Sequence, residues 1–95
     1  RPMEPASAPR PVSVDRERQK ALKRWERKVA EAEAVVTELE GRLAELQRTL
    51  AEMDPTDWQA FGAKLDEQKA LESELAYALA AWEEAQTALE EAQKA

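Results

Sequence analysis

The chain has 95 residues with 14 basic and 20 acidic side chains, a net charge of -6, five prolines, two glycines and no cysteine or histidine. This composition excludes a disulfide framework, a thiolate nucleophile, imidazole proton transfer and the usual zinc ligands. Because 43% of the residues are hydrophobic but only 5% aromatic, it favours a single all-α domain of long helices. We expect no catalytic site, metal or cofactor. No apolar run approaches the roughly 18 residues that cross a bilayer, so we expect no membrane contact and a cytoplasmic location.

Residues 1–15 are expected to form a flexible, disordered linker, because residues 1–11 hold four of the five prolines. A first helix is expected at about residues 16–53. Its apolar residues step alternately by three and four, which is the heptad seam of a coiled coil. With Leu22 at position a, the a and d positions hold Leu22, Trp25, Val29, Ala32, Val36, Leu39, Leu43, Leu46, Leu50 and Met53.

A turn is expected at about residues 54–57, which read Asp-Pro-Thr-Asp. Asp54 is predicted to cap a second helix, with Pro55 in the first turn of that helix and Asp57 adding a favourable charge. This second helix is expected at about residues 58–93 and completes a domain of residues 16–95. Its apolar stripe is broader, and we assign five of its members to the core: Leu65, Leu75, Leu79, Trp82 and Leu89.

The shortness of this turn determines the architecture. Two long helices joined so closely must lie antiparallel, which pairs residues whose numbers sum to about 111. Large side chains then meet small ones, because Trp82 lies within a turn of Ala32. The sequence therefore predicts a monomeric, antiparallel coiled-coil hairpin.

Charge is distributed unevenly along the chain. Residues 1–28 carry nine basic and four acidic side chains, whereas residues 29–95 carry five basic and sixteen acidic ones. Seven of the basic residues lie within residues 16–28 and are termed the basic segment: Arg16, Arg18, Lys20, Lys23, Arg24, Arg27 and Lys28.

Five residues of the basic segment occupy the outward positions b, c and f and are termed the ridge: Arg16, Lys20, Lys23, Arg24 and Arg27. Like charges at i,i+4 destabilise a helix, and cations in its first turn oppose its dipole, so stability alone does not explain the ridge. A ridge about 16 Å long can follow several phosphates of a duplex or a folded RNA. It offers almost no groups that read bases, so sequence specificity should be low.

The alternative is that the ridge is balanced internally. The antiparallel register brings four glutamates to the same end of the hairpin: Glu83, Glu84, Glu90 and Glu91. Exposed ion pairs contribute only about 0–1 kcal/mol each, which limits the stabilisation available from this arrangement.

Several residues around the turn and in the second helix form a familiar pattern. Trp58 and Phe61 follow the Asp-Pro turn, and the second helix contains Leu71-Glu72-Ser73-Glu74-Leu75 and then Trp82-Glu83. Over about residues 13–92 the chain resembles the C-terminal coiled-coil domain of ABC-F ATPases of the Uup type. It departs from that family at Leu79, where an aromatic residue is frequent, and at Ala81, where an arginine is frequent.

The resemblance implies a module tethered behind two ATP-binding cassettes of the same chain, with ATP and Mg²⁺ bound only in those upstream domains. It implies DNA, possibly branched, as the partner of the basic segment, with structured RNA or the ribosome as the alternative. A rival class is a protein-interaction or oligomerisation coiled coil, because the uninterrupted heptad of the first helix could also dimerise in parallel.

Overall fold

The structure is a computed structural model that describes residues 9–94, with side chains described from residue 14 onward. Helix α1 spans Pro9–Glu52 and helix α2 spans Trp58–Lys94. With 44 and 37 residues, the helices are about 66 Å and about 55 Å long. They pack against each other along their lengths, so the predicted all-α helical hairpin is confirmed. Neither described helix offers a stretch apolar enough to cross a lipid bilayer.

Helix α1 starts earlier than the sequence predicts. It begins at Pro9, whereas the sequence predicts a start at about residue 16, so residues 9–15 are helical. Prolines had suggested a linker, but Pro9 and Pro11 fall in the first turn, where backbone N–H groups have no intrahelical partner and proline costs little. The rest of the predicted linker, residues 1–8, lies outside the described residues.

The turn between the helices is built around Asp54. Its Oδ1 atom accepts hydrogen bonds from the backbone N–H of Thr56 at 3.0 Å and from the hydroxyl of Thr56 at 2.8 Å. These two bonds, the backbone bond most of all, hold the pKa of Asp54 below its usual value. The backbone N–H of Asp57 donates to the carbonyl of Asp54 at 3.1 Å, which closes a β-turn with Pro55 at its second position.

Helix α2 begins at Trp58, and the residue that caps it is not the one predicted. The N–H of Phe61 donates to the carbonyl of Asp57 at 2.9 Å, so Asp57 occupies the N-cap position. The prediction that Asp54 caps α2 is wrong, because the carboxylate of Asp54 is used within the turn. Pro55 likewise belongs to the turn and precedes the first turn of α2.

The hairpin core is a single seam between the two helices. On α1 the a and d positions from Leu22 to Met53 are all buried or half-buried, with Leu39 and Leu46 the most enclosed. On α2 the enclosed residues are Leu71, Ala78 and Ala85, seven residues apart. The side chains in this central seam are between 6% and 9% exposed, and none of them is completely enclosed. The remaining predicted core residues of both helices are half-buried along this seam: Leu22, Trp25, Val29, Val36, Leu43, Leu50, Leu75, Trp82 and Leu89.

Two leucines that the sequence places in the core do not lie in this seam. Leu65 is 41% exposed and Leu79 is 38% exposed. The α2 seam advances in strict heptads through Leu71, Ala78 and Ala85, which leaves Leu65 and Leu79 beside it. Ala78 and Ala85 were not among the assigned core residues, and their small side chains let the helices approach closely at those levels.

The helices pair in the register that the turn predicts. At the end far from the turn, the Arg18 guanidinium donates to the backbone carbonyl of Gln93 at 2.9 Å, and these residue numbers sum to 111. Since Lys94 is the last described residue of α2, the residues of α1 that precede about residue 16 extend past the end of α2.

Candidate nucleic-acid interface

All seven residues of the basic segment are exposed. They lie in the second to sixth turns of α1, because the helix begins at Pro9. The expected conflict with the helix dipole is therefore weak, since that effect falls off within the first turn. The repulsion between neighbouring cations at i,i+4 remains. The seven residues differ in what their side chains contact, and this divides them into two groups.

Four cations of the ridge point away from α2 and are termed the outer cations: Arg16, Lys20, Lys23 and Arg27. Their spacing of four, three and four residues places them along one face of α1 over about 16 Å. Within residues 14–94, none of them takes part in an ion pair. The outer cations therefore present a line of positive charge to solvent.

The other three members of the basic segment have contacts inside the hairpin. Arg18 donates to the carbonyl of Gln93 in the last turn of α2, where carbonyl groups lack intrahelical partners and a cation is favourable. Arg24 and Lys28 lie over the ring of Trp25 at 5.9 Å and 5.8 Å from its centroid. Such cation–π contacts contribute about 0.5–1 kcal/mol at exposed sites. Arg18 therefore links the two helices at the open end of the hairpin, whereas Arg24 and Lys28 contact a side chain of their own helix.

Direct ion pairs do not balance the ridge in the described part of the chain. The two ion pairs within residues 14–94 join Arg48 to Glu45 in α1 and Lys64 to Glu67 in α2. Both pairs lie closer to the turn than the basic segment does. The glutamates from Glu83 to Glu91 form none with the basic segment. Within residues 14–94, direct ion pairs with these glutamates therefore do not contribute to balancing the ridge.

Sequence reasoning gave no role to two exposed side chains, Tyr77 and Val35. Tyr77 is 81% exposed and Val35 is 47% exposed, and both line one groove on a side of the hairpin. The sequence gives no positive signal for either side chain. Neither of them occupies an a or d position of the two seams. Trp58 is also exposed, but it adjoins the acidic turn and lies at the opposite end from the outer cations.

Comparisons with known proteins give no assignment. No family model matches the chain, and no curated protein or solved structure is found to be similar to it. The resemblance to the coiled-coil domain of ABC-F ATPases therefore rests on the residues of the turn and of α2 alone, and it enters below as a proposal.

Proposed function

We propose that this hairpin is a non-catalytic module that binds the phosphate backbone of nucleic acid, DNA in the first place, with little sequence specificity. The observation that carries the proposal is the line of outer cations on α1, exposed and without ion pairs in the described residues. Cations that approach phosphates release condensed counterions, and this release is the main source of sequence-independent affinity.

The dimensions of the line suit a nucleic-acid strand. Each strand of a duplex carries one negative charge per about 3.4 Å of axis, so a line about 16 Å long spans about five phosphates. Four cations can neutralise about four of these phosphates. Base reading relies on polar side chains presented to base edges in a groove, and the segment from Arg16 to Lys28 holds no Asn and a single Gln, Gln19.

The rest of the surface limits where nucleic acid can bind. Residues 29–95 carry sixteen acidic and five basic side chains, and this excess of negative charge repels a polyanion. Contact is therefore confined to the outer face near the start of α1. An interface of this size supports modest affinity and strong dependence on salt concentration.

We further propose that the hairpin belongs to an ABC-F ATPase, in which ATP and Mg²⁺ bind the upstream cassettes. The residues that support this proposal follow the turn and run along α2: Trp58, Phe61, Leu71–Leu75 and Trp82–Glu83. In such a protein, the hairpin would tether nucleic acid to the cassettes without taking part in hydrolysis. Branched DNA and structured RNA are the substrate forms to compare with linear duplex.

The proposal is tested by neutralising part of the line and comparing it with a matched control. The test variant replaces Lys20, Lys23 and Arg27 with Gln, and the control replaces Lys64, Lys69 and Arg48 with Gln. Both variants lose two lysines and one arginine, so their net charges are equal. Binding to linear duplex, branched DNA and tRNA is measured by fluorescence anisotropy over a series of salt concentrations.

We expect the wild-type affinity to fall with salt with a log–log slope of about -3.6, from about four phosphate contacts. The test variant should show a slope near about -1 and at least roughly tenfold weaker binding at low salt, whereas the control should behave like wild type. Equal losses in both variants, or a flat salt response in wild type, would contradict the proposal. The circular dichroism of the test variant should be unchanged or more helical, because like-charge repulsion is relieved.

A further inference from the structure

We propose that the hairpin associates with a second copy of itself through one side, forming a four-helix dimer in which the two hairpins point the same way and each helix is antiparallel to its neighbours. The proposal rests on a continuous apolar groove along that side, termed the side groove. It is made of two adjoining stretches of about 510 Å³ and about 610 Å³ that share Ala32, Val35 and Ala81. It runs from Trp25 to Arg42 along α1, about 25 Å.

The floor of the side groove is apolar and shallow. Ala78 and Ala85 of the seam lie at its base, and Ala32 and Ala81 widen it because their side chains are short. A two-helix hairpin leaves such a surface wet, since nothing within the described residues covers it. A second pair of helices laid on the groove would convert a two-helix seam into the closed core of a four-helix bundle.

The charges at the rims of the groove select the arrangement of the two copies. Six charged side chains line the rims: Lys28, Glu31, Glu38 and Arg42 on α1, and Glu74 and Glu84 on α2. In the register described above, Glu84 lies at the level of Lys28, and Glu74 lies at the level of Glu38, about one turn from Arg42. A twofold axis parallel to the hairpin keeps every residue at its own level and places α1 of one copy against α2 of the other. Lys28 then faces Glu84 of the second copy at the same level.

The same axis brings the exposed apolar side chains together. Val35 and Tyr77 line the same stretch of the groove from opposite helices, so Tyr77 of each copy covers Val35 of the other. Glu38 faces Glu74 of the second copy, and Arg42, one turn from Glu38, offsets part of that repulsion. A twofold axis across the hairpin would instead bring Lys28 near Arg42, which is unfavourable.

The size of the groove sets the expected strength. A face about 25 Å long and about 20 Å wide buries about 500 Å² on each copy, or about 1,000 Å² in total, the lower limit for a specific interface. We therefore expect a dimer with a dissociation constant of about 1–100 µM, in contrast to the monomer expected from the sequence. The outer cations do not line the groove, so this proposal and nucleic-acid binding stand or fall separately.

The experiment measures the mass of the full chain by sedimentation equilibrium from about 1 µM to about 500 µM. Wild type should shift from monomer to dimer. Tyr77→Ser should weaken association at least tenfold without loss of helicity, because this side chain is exposed in the single hairpin. The matched control is Leu65→Ser, an apolar side chain exposed outside the side groove, and it should associate like wild type.

The orientation is tested by exchanging one pair of charges. Lys28→Glu should weaken the dimer about three- to tenfold, and adding Glu84→Lys should restore it. Failure of the double variant to recover overturns the proposed orientation, because Lys28 would then not face Glu84. If the wild-type chain stays monomeric at the highest concentration, the proposal as a whole is overturned. A helix of another protein would then be the candidate partner for the groove.

Discussion

The placement of leucines on α2 gives a sharp test of the fold. Leu71 is 9% exposed in the seam, whereas Leu65 is 41% exposed beside it. The sequence pattern alone had assigned Leu65 to the core. Comparing the two residues therefore tests the core seen in the structure against the core expected from the sequence. We predict that Leu71→Ala destabilises the hairpin much more than Leu65→Ala does.

The magnitudes follow from burial. Leu71→Ala removes a side chain from the central cluster with Leu39, Leu46 and Ala78, and the loss of transfer free energy adds to the cost of a cavity. We expect a decrease in the free energy of unfolding of about 2.5–3.5 kcal/mol, in the lower half of the range for leucines because a two-helix seam can partly close. Leu65→Ala removes a side chain that is already partly in water, so we expect about 1–1.5 kcal/mol and no cavity.

Urea denaturation followed by circular dichroism at 222 nm measures both values. With a slope of about 1 kcal/mol per molar urea, the midpoint should fall by about 3 M for Leu71→Ala and by about 1 M for Leu65→Ala. The experiment is run at roughly 5 µM chain so that self-association adds little stability. Equal midpoints for the two variants, or a larger loss for Leu65→Ala, would refute the α2 seam described above.

Three further predictions concern the turn, the helix interiors and the seam. Asp54→Asn should lower the melting temperature at pH 7, and the difference from wild type should vanish as the pH falls below the depressed pKa of Asp54, because the stability from its ionised form exists only above that pKa. Gly41→Ala and Gly62→Ala should each stabilise the hairpin by about 1 kcal/mol in urea titrations, since an added Cβ meets nothing within 4 Å in either helix. Trp82→Ala should cost about 3 kcal/mol, whereas Trp82→Phe should cost below about 1 kcal/mol because it keeps a ring and removes an indole N–H that has no hydrogen-bond partner among residues 14–94. Calorimetry of both variants distinguishes the two values.

The candidate interface was only partly visible in the sequence. Counting charges along the chain located the basic segment, because the excess of cations is local and needs no folding to be seen. The division of that segment needed the structure. Arg18 contacts Gln93, 75 residues away in sequence, and the cations over Trp25 depend on how that ring is held at the seam. The four outer cations emerge as a separate set only after these contacts are known.

The sequence by itself determined the two helices, their antiparallel pairing and the seam of α1. These features depend on local periodicity and on a turn too short for any other return, and large residues such as Leu39 and Leu46 mark the seam plainly. Only the tertiary structure decided the seam of α2 and the start of α1. Alanine suits a seam and a surface equally well, so Ala78 and Ala85 became core residues only when α1 was laid against them.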